Sequence, residues 1–257
     1  MISKINDAEV KYLNYFCEDE DYGNFIRFKD DNIKDMYSHN FTYIKPGVSS
    51  ENILKIVNSE IEYRKKNKKN FLRIVINSNF DSNIIEKFLL KPDIEHYDYL
   101  GISTKNYNNI KEKENAKVIL ADNLKVNEDG RLVDIVANYQ NMTLEFAIRR
   151  IDRKFQIYND VTKQLNLYVC YDNIEPVGNC ELMINDNIAK IEDFDIVGMH
   201  QRKGYGSNAL KTLLKICKEK NIEDAYLVTD HDDTAKNMYV KCGFKTIGEC
   251  FELMFNF

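Results

Sequence analysis

The apolar positions of this chain fall into two rhythms, one helical and one extended. Ile53, Leu54, Val57 and Ile61 recur at helical spacing behind Ser49 or Ser50. A serine there can accept the first backbone N–H groups of a helix, so the spacing predicts a helix to about Lys66. The run Phe71-Leu72-Arg73-Ile74-Val75-Ile76 is too compact for a helical stripe and predicts a buried strand. Asp81 or Ser82 opens a second predicted helix through Lys91, which Pro92 stops, and a strand follows over residues 94–103.

Residues 106–115 combine turn-formers with alternating charges and are the best boundary, dividing the chain into residues 1–115 and 116–257. Beyond it the order changes. Runs over 117–121 and 131–137 predict strands, and Leu144, Ile148, Ile151, Phe155 and Tyr158 predict an amphipathic helix over 143–158. Three strand-like runs follow, over 165–171, 176–184 and 188–197, joined by turn-forming segments rich in Asn and Asp. Leu210, Leu213, Leu214 and Cys217 then stripe a helix over 205–219. A short strand (225–229), a helix (234–241) and paired strands to Phe257 complete the expected order.

Composition narrows the function. The chain has 257 residues, 44% hydrophobic and 30% charged, within the range of an ordinary globular protein of one to two domains. Its 36 Lys and Arg against 41 Asp and Glu give a net charge of −5, which argues against broad nucleic-acid binding. None of the six cysteines forms a C-x-x-C pair, so no metal site is expected, and the thiols read as buried in a reducing compartment. With no signal-like apolar segment near Met1 and no long apolar run elsewhere, a cytoplasmic, membrane-free protein is expected.

The sharpest chemical signal is Gln201-Arg202-Lys203-Gly204-Tyr205-Gly206, between an extended run and a helix. Glycines there let backbone N–H groups face outward at a helix N-terminus, an anion site suited to a pyrophosphate, and Arg202 and Lys203 add positive charge. The alternative is a plain strand-to-helix turn with solvated cations. A P-loop is excluded because the order is Lys203-Gly204-Tyr205. A dinucleotide fingerprint fits the glycine spacing, but Gly198 to Lys203 intervene after the strand, and that strand carries Glu192, Asp193 and Asp195. His200 and His231 near these segments read as polar surface, and the basic run 64–69 as a solvated helix end.

The loop resembles the acetyl-CoA pyrophosphate loop of the GNAT superfamily of N-acetyltransferases, Arg/Gln-x-x-Gly-x-Gly/Ala. Residues 232–244, with Ala235, Tyr239, Lys241, Gly243 and Phe244, resemble the family's later Asn-x-x-Ala-x-x-x-Tyr-x-Lys-x-Gly-Phe segment, with Asp232 in place of the common Asn. The resemblance covers about the last 125 residues. It implies an α/β (α+β) protein with a GNAT-like mixed central sheet flanked by helices, preceded by a smaller α/β domain. The helix–strand order of residues 1–115 fits a degenerate second copy of that fold, able to roof the acceptor site or form a homodimer contact.

The implied chemistry is acetyl transfer from acetyl-CoA, as co-substrate, to a small-molecule or peptide amine by direct attack in a ternary complex. The strands over 191–197 and 225–229 would splay, with Ile196 and Val197 offering backbone groups to the pantetheine. The pyrophosphate would sit on Gln201, Arg202, Lys203, Gly204, Tyr205 and Gly206, with Asn237 replacing the missing Asn. Tyr239 matches the family's general acid. Glu192 is the first choice of base, and strand alternation puts it on the face opposite Asp193 and Asp195. The rival reading is a non-catalytic module that binds CoA compounds as a sensor or assembly partner.

Overall fold

Side-chain caps start several helices where the polar positions foretell them. In the computed structural model, which describes residues 2–77, 80–160 and 162–257, helix α1 (Ile2–Leu13) precedes strands β1 (Glu18–Asp21), β2 (Phe25–Lys29) and β3 (Thr42–Ile44). Helix α2 (Ser50–Lys66) follows, with the Ser49 hydroxyl accepting the Asn52 N–H, and strand β4 (Phe71–Ile76) coincides with the compact apolar run. Strands β5 (Asp93–Ser103) and β6 (Ala116–Leu120) lead into helices α3 (Leu124–Asn138) and α4 (Leu144–Tyr158). Asn123 and Thr143 cap these two helices by accepting the N–H groups of Val126 and Phe146, each at 3.2 Å. Then come strands β7 (Leu165–Asp172), β8 (Glu175–Asn185) and β9 (Ile188–Ile196), helix α5 (Tyr205–Glu219), strand β10 (Asp224–Asp230), helix α6 (Ala235–Lys241) and strand β11 (Lys245–Asn256).

Three expected elements differ. Residues 131–137 lie inside α3, whose buried face carries Asp129, Gly130 and Asp134 beside Val126 and Val133. Polar and small residues on that face hide the helical period, and Val133, Ile135 and Val136 imitate a strand. The helix expected over 81–91 is a 3-10 turn, Ser82–Lys87, capped by Asp81. The paired strands expected at the C-terminus are one strand, β11. Helix α1 and strands β1 to β3 had no specific prediction. No described helix is long and apolar enough to cross a membrane. All six cysteines are buried.

The chain forms two compact units that interleave in sequence. One comprises Met1–Tyr15, Leu100–Val228 and Asp233–Ile247; the other comprises Phe16–Tyr99, Thr229–Asp232 and Gly248–Phe257. In the first, the strand order β6-β7-β8-β9-β10 is antiparallel except for the parallel pair β9/β10. Helix α5 buries Leu210, Leu213 and Leu214 completely in a core with Leu182, Ile191 and Leu227. Each such leucine contributes enough that truncation to alanine costs about 2–5 kcal/mol. In the second unit, β1, β2 and β3 are successively antiparallel, β4 is parallel to β3, and β11 is antiparallel to β4. Its core joins Ile53, Val57 and Ile61 of α2 to Leu72, Ile74, Leu253 and Phe255. Both units therefore contain an antiparallel trio of strands, a helix and a return strand parallel to the third.

Candidate functional site

Strands β9 and β10 part company within the first unit. Their parallel register pairs Ile188 with Asp224, Ala189 with Ala225 and Lys190 with Tyr226; it ends there, while β9 runs on to Ile196. A cleft of about 800 Å³ opens beside this part of β9, lined by Phe194, Asp195 and Ile196, by the loop before α5 and by α6. Its size suits a small-molecule or cofactor site.

The loop before α5 is tied to β9 and bent by left-handed residues. The Gln201 side-chain amide donates to the Ile196 carbonyl at 2.9 Å, tying the loop back to β9. Arg202 (φ 59°) and Gly204 (φ 92°) are both left-handed, and alternating such residues turns successive N–H groups to one side. Gly204 is the N-cap of α5 and offers no side-chain acceptor, which leaves the positive end of the helix dipole to whatever enters the cleft. A Cβ on Gly206 would lie 2.7 Å from Met238 Sδ, so the approach of α5 to α6 requires a glycine there.

The expected cofactor residues are brought together only in part. Ile196, Gln201, Arg202, Gly204, Gly206 and Asn237 line the cleft, whereas Val197, Lys203 and Tyr205 do not. The Val197 N–H donates to the Val177 carbonyl at 2.9 Å. Lys203 is exposed, and Tyr205 turns its hydroxyl to the Asp172 carboxylate on β7. His200, expected at the polar surface, lines the cleft, with Nε2 3.4 Å from Glu175 Oε1. Ser207, Thr234, Met238 and Lys241 also line it and were not foreseen. The helical spacing of Thr234, Asn237, Met238 and Lys241 was a legible signal for three of these, since it puts them on one face of α6.

Tyr239, the expected acid, lines the cleft and is 6% exposed, with its ring edge-on to Phe194 and Phe244. Burial, then the negative charges of Asp233, Asp195 and Glu192, push its phenol above the ordinary value, so it stays protonated at neutral pH. The carboxylates of β9 depart from simple alternation. Asp193 has φ 43°, and the register with β8 shifts between Glu181↔Glu192 and Asn179↔Asp195, which marks a bulge. The extra residue turns all three acids toward the helices on one face. Glu192 pairs with Lys190 at 2.8 Å, and Lys190 in turn reaches Glu9 of α1. Asp193 takes Arg150 at 2.6 Å and Lys154, both on α4, while Asp195 accepts from Asn138 of α3 at 2.9 Å. The expected placement of Glu192 opposite the other two is thus overturned by the bulge.

Of these acids Asp195 lines the cleft, whereas Glu192, the expected base, does not and is held in its ion pair with Lys190. Burial is the main cause that raises both carboxyls above their ordinary range; Lys190 partly offsets it for Glu192, and the Asn138 hydrogen bond does so for Asp195. A carboxyl raised toward neutrality is the kind that can take a proton in catalysis. Deeper in the same unit, Lys154 (3% exposed) lies 2.7 Å from Glu181 Oε1, and Arg150 grips Asp134 through both carboxylate oxygens at 2.8 and 2.9 Å. The cleft wall therefore rests on a buried lattice of ion pairs.

Residues 136–244 match the family model described as "Acetyltransferase (GNAT) family". N-acetyltransferase CgeE of Bacillus subtilis (strain 168), itself called uncharacterized, is 39% identical over 105 residues, which are 38% of this chain and 39% of that protein. Among solved structures, a functionally unknown conserved protein from Staphylococcus epidermidis ATCC 12228 is similar over 92% of both chains, with a TM-score of 0.76 and 20% identity. A GCN5-related N-acetyltransferase from Kribbella flavida is similar over 98% of this chain and 94% of its own, with a TM-score of 0.73 and 12% identity. These structural likenesses agree with the GNAT-like mixed sheet flanked by helices that the sequence resemblance implied. The similarity to the GNAT acetyltransferase family thus lies in residues 136–244, less than half of the chain.

Proposed function

We propose that the protein is an acetyl-CoA-dependent N-acetyltransferase that moves an acetyl group to a primary amine by direct attack in a ternary complex. The observation that carries this reading is the cleft itself. The edge of β9 beyond Lys190 offers backbone groups to an extended pantetheine arm, and the N-terminus of α5 faces the position of the pyrophosphate. Tyr239 donates its phenolic proton to the departing thiolate. A carboxylate of β9, Glu192 as first expected from sequence or Asp195 in the cleft wall, takes the proton of the amine. Asp195 and Asp233 are matched in the lining by Arg202 and Lys241, so it is the net charge of −5 that favours a cationic acceptor.

Calorimetric titration with CoA, followed by a thiol-release assay with acetyl-CoA and a panel of amines, tests the proposal. Binding together with amine-dependent thiol release supports it. Binding with no turnover on any amine would leave the non-catalytic sensor. Glu192→Gln and Asp195→Asn separate the two bases, because loss of the true base removes the acidic limb of the pH profile of kcat/KM.

The reading of the first half as a degenerate copy extends the same proposal. Its β3–α2–β4 arrangement repeats β9–α5–β10, but β3 pairs with β4 to its last residue, Ile44 with Ile76. The connecting segment carries Pro46, which has no N–H, and Ser49, whose hydroxyl already accepts the Asn52 N–H. The copy therefore keeps the topology and lacks the anion site. A CoA stoichiometry of two per chain would refute this.

A further inference from the structure

We infer that His96, Asp98 and His231 form a binding site for a divalent transition metal, zinc by its donor set, with Glu249 as fourth ligand. The site lies in the second unit, and neither the family resemblance nor the proposed transfer reaction calls for it. His96 and Asp98 are two apart on β5 and so share a face. His231 follows β10, where its N–H donates to the His96 carbonyl at 2.9 Å and holds the turn against β5. Glu249 comes from β11.

The ligand atoms of the two histidines and Asp98 all lie within 4.8 Å of one another. His231 Nδ1 is 3.1 Å from Asp98 Oδ2, and His96 Nε2 is 3.3 Å from Glu249 Oε2. Zinc with four ligands at about 2.0–2.1 Å separates neighbouring donors by about 3.3 Å, so both pairs already stand near coordination spacing. Two imidazoles with two carboxylates suit zinc rather than calcium or magnesium, which prefer all-oxygen sets, and the carboxylates balance its charge. The Asp98 side chain is 1% exposed and that of His231 is 41% exposed, so the site has a buried anionic floor and an entry from solvent. His96 Nε2 is sealed from water and makes no hydrogen bond among the described residues. A metal would use that nitrogen.

One adjustment is required. His96 is stacked between His231 and Phe251, with centroids 4.3 and 4.6 Å away and both partners within 11° of parallel. The in-plane lone pairs of parallel rings do not converge on one point. Phe251 pins His96, so the more exposed His231 ring must turn about its χ2, a broad torsion, to complete the site.

The test is titration of the metal-free full-length protein with Co²⁺ and Zn²⁺. Expected are one ion per chain, the d–d absorption of four-coordinate Co²⁺ without a thiolate charge-transfer band, and a raised unfolding midpoint with Zn²⁺. His231→Ala, at an exposed position, and His96→Asn should each bind about tenfold more weakly or worse while keeping the far-UV circular dichroism of the parent. No stoichiometric binding, equal binding by parent and His231→Ala, or a thiolate band pointing to cysteine ligation would overturn the inference. The readouts do not involve acetyl transfer, so the outcome is independent of the proposed reaction.

Discussion

Gly178 is the position where one methyl group tests the cleft from outside. It lies on β8 opposite Ile196 of β9, and a Cβ there would sit 2.4 Å from the Asp195 carbonyl oxygen and 2.5 Å from Ile196 Cδ1. The Ile196 methyl can turn aside, but the Asp195 oxygen is backbone. Against an optimal separation of about 3.5 Å, the carbonyl must retreat by about 1 Å. Overpacking of this kind costs about 1–3 kcal/mol, and the entropic gain of Gly→Ala in a strand returns about 0.5–1 kcal/mol, so Gly178→Ala should lose no more than about 2.5 kcal/mol. The displaced segment is the cleft wall that carries Asp195 and Ile196. A misplacement of about 1 Å at a reacting centre is worth roughly 10²-fold, so kcat/KM for acetyl-CoA should fall far more than stability alone accounts for. Urea unfolding gives the first quantity, and thiol release below the unfolding transition gives the second. Unchanged kcat/KM and CoA affinity in a folded Gly178→Ala protein would refute the claim that this part of β9 holds the substrate.

Lys154→Met strands the buried Glu181 carboxylate, which is 0% exposed, and should cost about 3–5 kcal/mol in urea unfolding; Lys154→Met with Glu181→Gln should recover part of it. Tyr239→Phe should lower kcat by about 10²-fold or more with CoA affinity unchanged, and equal kcat in the two proteins would remove Tyr239 as the proton donor. Asp195→Asn tests the carboxyl that burial raises. A group whose folded pKa is raised contributes stability below its unfolded pKa and loses it as pH rises through the folded value. The asparagine protein should therefore be the more stable at pH 8, with the gap closing toward pH of about 4, near the unfolded carboxyl value. A melting-temperature difference that stays constant across that range would contradict the burial of Asp195.

What could be read from the sequence follows from how each residue type is buried. Helices α2, α4 and α5 and strand β4 bury apolar side chains at regular spacing, and their limits were legible to within a residue or two. Helix α3 was not, because Asp129 and Asp134 occupy core-facing positions. Asp129 accepts from the Tyr171 hydroxyl at 2.8 Å, and Asp134 is held by Arg150, partners 42 and 16 residues away that no local pattern announces. The loop before α5, proposed to hold an anion, was legible because its turn lies in contiguous backbone, which Gly204 and Gly206 declare directly. The proposed base was less so, since its side of the strand depends on a bulge. Yet the bulge left a trace in its residue type. Aspartate tolerates a left-handed backbone better than most residues, and Asp193 is the one among Glu192, Asp193 and Phe194 that can take φ 43° at modest cost. Arg150 and Lys154 then close on its carboxylate and fix the bulge in place. The order of residues at 192–195 thus determines which carboxylate reaches the cleft, but only through the α4 cations that hold the strand out of its regular alternation.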